Sequence, residues 1–489
     1  MSRGNQSGTA KWLRAAAHTG SLLALLMLPL SGLAAEVANP GGTAAPGPVT
    51  TSPAGAVSSF APSEFLPQTL GFGSWLLGPL RLTPTLSTQV DGFAESNPGW
   101  GGDFHPPLNE SRFFFEHADI FGLNAGLDLG EYCRLSARGS GIFSMSGGGL
   151  NAAATNYGDI QARSTTLEDA YLTWTSGDLF PGLGEDAVTV IAGRAPYQIG
   201  DGFLFYNGTY GVNKSAAWLA PRLAFKRTVV ARITKGHLTA EGFYLSPNDE
   251  PDTHTRVAGV NSDLRLGEML YTGFTYANIF RSDTPSRQGL NLFYWRGEGA
   301  PMATLPDFYL SSSFAAESNG NRVSGAYAWY ITPSYTFSAL PWSPILRYRY
   351  ASFSGGGAQG QHDFDPLFYG MSDWGTWYQG EIAGNWIFSN SNLDSHQIRL
   401  TLRPASTVTL DLIYYHFMLD SRTQTLVPDA VVTNSNLSDE VDMILTLNVT
   451  KWWTIAVTFA VSVPDQGGRQ LFGGSQTWFQ SAIWSGWAF

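Results

Sequence analysis

The stretch VDMILTLNVTKWWTIAVTFAV at residues 441–461 decides the fold. Apolar side chains occupy every second position of 441–449, and most of the residues between them are polar. After a short turn at 450–452, the alternation resumes over 453–461. Successive side chains of a β-strand point to opposite faces of the sheet. The stretch therefore predicts a hairpin with one apolar face and one polar face.

The same alternation recurs along most of the chain. It is clear at 345–350, 397–403 and 407–416, and it returns at the end of the chain. From these segments we expect about 18 strands, with boundaries good to a few residues. Further candidate strands lie near 79–93, 112–122, 130–145, 165–175, 186–195, 222–233, 237–246, 255–265, 268–280, 288–296, 307–315 and 326–338.

The composition places these strands in a membrane. Charged residues make up 14% of the 489 residues, against roughly 25% in soluble proteins. Aromatic residues reach 13%, with 55 glycines. The mean hydropathy of −0.07 is too low for helical spans, each of which needs about 20 apolar residues. Lipid offers no partner to a free strand edge, so the sheet must close. We predict an all-β fold, a transmembrane antiparallel β-barrel.

The N-terminus resembles an export signal. Basic residues precede an apolar run at 22–30, and Gly32 and Ala34 fit the small residues before a cleavage site. Residues 35–63 are rich in Ala, Pro, Gly, Ser and Thr and have no apolar period. The predicted organisation is a signal peptide at 1–34, a flexible periplasmic leader at 35–70 and an outer-membrane β-barrel at 71–489.

The C-terminal strand supports the same location. Apolar and small residues alternate from Phe479 to Phe489, and the last residue is aromatic. Outer-membrane proteins typically end in such a strand, which the barrel-insertion machinery reads. We therefore expect the outer membrane of a Gram-negative bacterium, with that machinery engaging Phe489.

Two stretches resemble the alginate export family. The first is LEDAYLTW (167–174) with VIAGRAPYQIGDGF (190–203), an aromatic strand followed by a Gly-Arg strand end and an acidic-glycine turn. The second runs over 364–420, from FDPLF to the Tyr-His-Phe strand end at 415–417. The resemblance is patchy over about the last two thirds of the chain. It implies an 18-stranded monomeric barrel with an arginine-rich, anion-selective lumen through which alginate leaves the periplasm.

The resemblance also implies two site residues. Arg194 stands at the position of the family's Gly-Arg motif, which makes it a lumen candidate. Glu381 matches a glutamate at the start of a family strand that begins near Tyr378. Glu168 and Asp169 lie in the family-like LEDAY stretch.

The alternation of side chains between the two faces of each strand adds further arginines to the predicted substrate path. The 28 basic residues include five lysines, which leaves 23 arginines. Arginine keeps its charge and pairs bidentately with carboxylates, as a polyuronate pore requires. An arginine on the lipid face would cost about 2–4 kcal/mol at the midplane, so we expect polar-face arginines to point into the lumen. These candidates are Arg134, Arg138, Arg347, Arg349, Arg399 and Arg403.

The net charge of −11 argues against a nucleic-acid partner. It also departs from a simple anion pore. We expect the acidic residues either in outer loops such as 248–254 or beside the arginines, where they would neutralise them.

Motifs for chemistry are absent from the sequence. There is no Gly-x-Ser-x-Gly elbow and no Cys/His metal cluster, and Cys133 is the single cysteine. His416 fits an interfacial position, and Asp363 and Asp365 fit a solvated turn of the glycine-rich loop 355–365 better than a cation site. We therefore expect no enzyme activity, no cofactor and no metal.

The sequence favours a monomeric pore that exports an anionic exopolysaccharide. Its partners would be outer-membrane lipid and the polysaccharide, with a periplasmic scaffold protein as a further candidate. Two alternatives remain open. One is an outer-membrane porin for small-solute uptake, and the other is a plugged barrel with an adhesion or assembly role.

Overall fold

The computed structural model describes residues 74–102, 112–130, 132–148, 163–208, 215–216, 218–221, 223–249, 252–267, 270–320, 322–357, 359–370, 377, 379–427 and 430–489. The signal peptide expected at 1–34 and the leader expected at 35–70 lie outside these residues.

The described residues form nineteen strands in one sheet. In chain order they are β1 (Trp75–Leu77), β2 (Leu80–Ser96), β3 (Arg112–Asp128), β4 (Arg134–Gly148), β5 (Arg163–Thr175), β6 (Val188–Ala195), β7 (Phe225–Lys235), β8 (Leu238–Ser246), β9 (Arg256–Leu266), β10 (Leu270–Arg281), β11 (Leu290–Gly299), β12 (Phe308–Ser318), β13 (Ala326–Thr336), β14 (Ile345–Phe353), β15 (Leu393–Ala405), β16 (Val408–Met418), β17 (Asn436–Thr450), β18 (Trp453–Pro464) and β19 (Trp478–Ala488).

Strands β2 to β19 close into an 18-stranded antiparallel barrel, which confirms the predicted fold. Each strand pairs with the next, and β19 returns to β2 with Phe479 opposite Ser96 and Ala488 opposite Ser87. The short β1 adds a hairpin to the start of β2. The described helical segments are a 3-10 turn at Pro98–Gly101, a π-helical turn at Gly380–Gly384 and α1 at Gln466–Phe472. Among the described residues, none of these helices has the length and hydropathy needed to cross a membrane.

The last residue of the chain takes part in the closure. The N–H of Leu86 donates to the carbonyl of Phe489 at 3.0 Å, and the N–H of Phe489 donates back to Leu86 at 2.7 Å. Both backbone groups are thereby satisfied where the first and last long strands meet. A closed sheet leaves no edge to lipid.

The wall has an apolar outer face and a more polar inner face. On β17, the side chain of Val441 is 54% exposed, whereas its neighbours Glu440 and Asp442 are buried. On β16, exposed Leu412 alternates with buried Asp411 in the same way. Exposed apolar side chains in register around a closed barrel form the lipid-facing band.

The two ends of the barrel differ in the length of their connections. Tight turns such as 236–237, 406–407 and 451–452 join strands at the end where β2 begins and β19 stops. The alternate connections are longer, and the longest spans 354–392. Outer-membrane barrels have short periplasmic turns and long extracellular loops. The end with the long connections is therefore the extracellular end.

Two of the long connections, 196–224 and 354–392, fold into the barrel; we call them the inner loops. They pair with each other, because Tyr206 donates its N–H to the carbonyl of Phe368 at 2.8 Å and Phe368 donates to Leu204 at 3.0 Å. Gly370 adds a third bond, to Gly202, at 2.9 Å. The glycine-rich loop 355–365 belongs to the second inner loop.

Aromatic side chains of the inner loops pack against the wall. The ring of Phe203 lies 4.6 Å from Trp377 and 5.3 Å from Tyr330, whose side chain points inward from β13. Phe205 and Phe368 lie 5.9 Å apart and are fully buried. The extracellular half of the barrel therefore holds an apolar core to which both the inner loops and the inward side chains of the wall contribute.

A new charge should destabilise the barrel much more on the outer face than on the inner face. Leu412→Arg places a charge near the middle of the lipid-facing band and should lower the free energy of unfolding by about 2–4 kcal/mol. Thr446→Arg on the inward side of neighbouring β17 should cost much less. Denaturant unfolding of both variants in lipid vesicles measures the difference, and equal losses would contradict this assignment of faces.

Candidate functional site

Four arginines lie on the inward side of β14 and β15; we call Arg347, Arg349, Arg399 and Arg403 the arginine wall. The backbone register places Arg347 directly opposite Arg399. Like charges opposite each other in an antiparallel pair are destabilising. Such a pair needs a compensating carboxylate or an anionic ligand.

One carboxylate offsets part of this charge. The Nε of Arg399 donates to Asp411 on β16 at 2.8 Å, and Thr401 donates its hydroxyl to the same carboxylate. Arg347 is bound less well: its Nη1 lies 3.4 Å from the Thr401 hydroxyl, and its buried Nε has no hydrogen-bond partner in the described part of the chain. A buried N–H without an acceptor is costly. Arg347 is therefore the member of the arginine wall that has a buried N–H without an acceptor among the described residues.

Arg349 connects the arginine wall to an inner loop. Its guanidinium carbon lies 4.3 Å from the ring centre of Trp377 and 5.3 Å from that of Tyr330. Its Nε donates to Thr332 at 3.1 Å. A cation over an aromatic ring is attracted by the ring's negative face, more strongly where water is excluded. The arginine wall and the apolar core thus meet at one side chain.

The other predicted arginines are held by partners on neighbouring strands. Arg138 donates to Asp169 at 3.0 Å and to Asn124 at 3.1 Å. Arg134, at the periplasmic start of β4, forms an ion pair with Asp186. Arg194 donates to the Glu168 carbonyl at 2.7 Å and to Asn248 at 3.1 Å. These three side chains tie strands and connections together, and the structure does not bring them to the arginine wall.

The expectation that Glu381 begins a strand is wrong. Glu381 lies in the π-helical turn Gly380–Gly384 of the second inner loop and is buried. Its N–H donates to Asp442 on β17, at 3.1 Å, and its carbonyl accepts from Gln480. The turn forms because wall side chains capture its backbone, which a local sequence pattern does not reveal.

Sequence reasoning missed further inward arginines, among them Arg232 and Arg296. Arg232 pairs with Glu241 at 2.7 Å, and Arg296 contacts Asp263 and donates to Asn261 at 2.7 Å. Apolar Val230 and Tyr294 precede them on the same inward faces, so the alternation of polar residues is broken there. Counting inward positions as every second residue along β7 and β11 would have identified both arginines.

Buried carboxylates of the wall hold the inner loops. Glu440 accepts the N–H groups of Ile382 and Ala383, both at 2.8 Å, one on each carboxylate oxygen. On the opposite inner loop, Glu116 accepts those of Trp218 and Leu219 at 2.8 and 3.0 Å. Hydrogen bonds to a charged acceptor are stronger than neutral ones. Burying these carboxylates is tolerable because each is bound by backbone donors.

Two more carboxylates repeat this arrangement. Glu168 accepts the N–H of Leu223 at 2.6 Å, and Glu317 accepts that of Asp365 at 2.9 Å. The carboxylate of Asp365 accepts two hydrogen bonds of 2.7 Å from the guanidinium of Arg287, and the two residues form an ion pair between loops. Part of the acidic excess thus binds backbone in the inner loops, a use that the sequence analysis did not anticipate.

Charge and apolar packing occupy different levels of the barrel. Arg347 and Arg403 lie within three residues of the periplasmic ends of their strands, and Arg134 begins β4 at that end. The inner loops descend from the extracellular end. A solute that enters from the periplasm would meet the arginines first and the inner loops second.

We expect Glu440→Gln to loosen the second inner loop. Each lost charged hydrogen bond is worth roughly 1.5–3 kcal/mol, and every 1.4 kcal/mol corresponds to about tenfold in population. Single-channel recording should therefore show larger or more frequent open events. Asp439→Asn removes a carboxylate from the adjacent, outward position and should leave the recordings unchanged; the same response in both variants would contradict the role of Glu440.

Comparison with solved structures places the fold among outer-membrane porins. OccK7 (OpdD) of Pseudomonas aeruginosa matches with a TM-score of 0.53 and 13% identity, over 83% of this chain and 98% of that one. OprD of the same organism matches with 0.53 and 11%, over 86% and 96%. OccAB2 of Acinetobacter baumannii matches with 0.54 and 8%, over 83% and 98%. At these identities the likeness concerns the fold alone.

Sequence comparison identifies the family. A search of curated proteins gives no match. The family model described as alginate export matches residues 222–464, which run from the strand β7 to the end of β18 and include the whole arginine wall. This chain is an outer-membrane β-barrel protein of a Gram-negative bacterium, and it belongs to the alginate export family.

Proposed function

We propose that this protein is an outer-membrane pore that exports an anionic exopolysaccharide, alginate or a related polyuronate, along the arginine wall. Family membership supports this proposal. The observation that carries it is the direct opposition of Arg347 and Arg399 on the inward face, with the Nε of Arg347 lacking an acceptor in the described residues. A passing carboxylate would relieve both the repulsion and the missing hydrogen bond.

The spacing of the arginines suits a polymer. Residues two apart on a strand point to the same face and lie about 7 Å from each other, so Arg347 and Arg349 form successive sites, and Arg399 and Arg403 extend them on β15. A polyuronate carries a carboxylate on every sugar. It can exchange one guanidinium for the next without leaving the wall, and the pore performs no covalent chemistry.

A porin for small-solute uptake is the second candidate. It is favoured by the OprD-like fold and by the inner loops, which reduce the free cross-section of the lumen. A small anion would use the same arginines but would not need several in series. A plugged barrel with an adhesion or assembly role remains as the third, and measurable conductance separates it from the other two.

Ion selectivity tests the arginine wall. In a planar bilayer under a salt gradient, the reversal potential of the purified protein should show anion preference. Arg347→Gln with Arg403→Gln should reduce it, because two fixed positive charges leave the lumen. Arg227→Gln removes one positive charge from an outward-facing position of β7 and serves as the control for each of the two substitutions made singly. Cation preference in the unmodified protein would contradict the proposal.

Blockade by oligosaccharides tests the substrate class. Oligomers of uronic acids added to the periplasmic side should interrupt the current, and the interruptions should shorten in Arg347→Gln because a charged hydrogen-bonding partner is lost. Neutral oligosaccharides of equal length should have little effect. Equal blockade by charged and neutral oligomers would favour a pore that selects by size alone.

A further inference from the structure

A separate group of polar side chains lies on the outer face of the barrel, near its extracellular rim. It consists of His416 on β16, Asp439 on β17 and Asp465, the residue before α1. The Nδ1 of His416 is 2.8 Å from the Oδ1 of Asp439, and one ligand atom from each of the three residues lies within 4.8 Å of the others.

This cluster is distinct from the lumen. His416 stands between Tyr415 and Phe417, which are buried on the inward face, and Asp439 precedes the inward Glu440. Both are close to the extracellular ends of their strands, β16 ending at Met418. The cluster therefore lies where the outer leaflet's headgroups meet the wall.

The cluster contains two carboxylates and one imidazole. Asp465 directly precedes α1 but makes no side-chain capping bond to it. The nearest basic residue of that helix, Arg469, directs its guanidinium to the carbonyl of Pro464 at 3.1 and 2.9 Å. Two carboxylates beside one imidazole leave a negative charge that a bound cation would offset.

A neighbouring tyrosine orients the set. The hydroxyl of Tyr414 donates to the Oδ1 of Asp439 at 2.7 Å, on the same outward face. Hydrogen bonds of this kind fix the direction of a ligating carboxylate and are typical of metal sites. One imidazole and two carboxylates suit a divalent transition ion such as Zn²⁺ or Co²⁺, with at least one coordination position left open.

We propose that His416, Asp439 and Asp465 bind a divalent metal ion whose open position takes a phosphate oxygen. Lipid headgroups of the surrounding leaflet and free phosphate both offer this chemistry. The ion would then join the outer wall to an anionic group outside the protein. The site does not depend on what passes through the lumen.

Metal binding is measured with Co²⁺ on the full-length protein, stripped with a chelator and kept in detergent. We expect one Co²⁺ per chain, with a visible absorption spectrum of a nitrogen- and oxygen-ligated ion. His416→Gln and Asp465→Asn should each weaken binding by about tenfold or more. Using both variants guards against a folding defect in one of them.

His117→Gln is the matched control. His117 also pairs with an aspartate, Asp119, at 2.9 Å, but it belongs to no group of three ligands in the described residues. Binding should be unchanged in this variant. Absence of stoichiometric Co²⁺, or equal weakening in His117→Gln and His416→Gln, would overturn the metal site.

The open position is tested on the Co²⁺-loaded protein. Inorganic phosphate is added in one arm, and the protein is placed in phosphatidic acid vesicles in the other. A spectral change in the vesicles identifies a lipid headgroup as the ligand, and a change with inorganic phosphate alone identifies the free anion. No change in either arm would overturn the phosphate ligand.

Discussion

The structure depends on one constraint, which is that lipid offers no hydrogen-bond partner to a peptide group. Every strand must therefore be paired on both sides. The chain meets this requirement because β19 pairs with β2, and the backbone groups of Leu86 and Phe489 bond to each other at the end of this pair. Closure fixes the direction of every side chain, since outward positions must be apolar and inward positions are free to carry charge. The arginine wall exists because a closed sheet has a protected inner face.

The same constraint governs the inner loops, because a loop inside a barrel loses water as well. Its backbone donors need acceptors, and the side-chain carboxyl oxygens of Glu440, Asp442 and Glu116 supply them. The carboxylates are stabilised in turn by the N–H groups, so neither partner is buried alone. This exchange reconciles an acidic chain with the proposed anion pathway, because these acids bind backbone groups and the arginine with the unsatisfied N–H lies elsewhere.

The strands and their faces could be predicted from the sequence because lipid imposes a local, period-two pattern on the outer residues. The contacts inside the barrel could not. The turn that contains Glu381 takes its conformation from Glu440 and Asp442, which are 57 to 61 residues away from the backbone groups that they bind. Arg138 and Arg194 were identified as inward candidates, yet whether an inward arginine has a partner depends on neighbouring strands and loops. The alternation along a strand predicts whether a side chain points into the barrel. Whether its charge is free to bind a ligand depends on the contacts inside the assembled barrel.

The pairing of the inner loops has a mechanical consequence. Three main-chain hydrogen bonds and the contact between the Phe205 and Phe368 rings join the two segments inside the barrel. Neither segment can withdraw alone without exposing those donors, so widening the passage is a cooperative event of both segments with a single equilibrium constant. If the lumen carries a polymer as proposed, the chain would need to displace such an obstruction only once before threading through, whereas small molecules would each have to displace it anew.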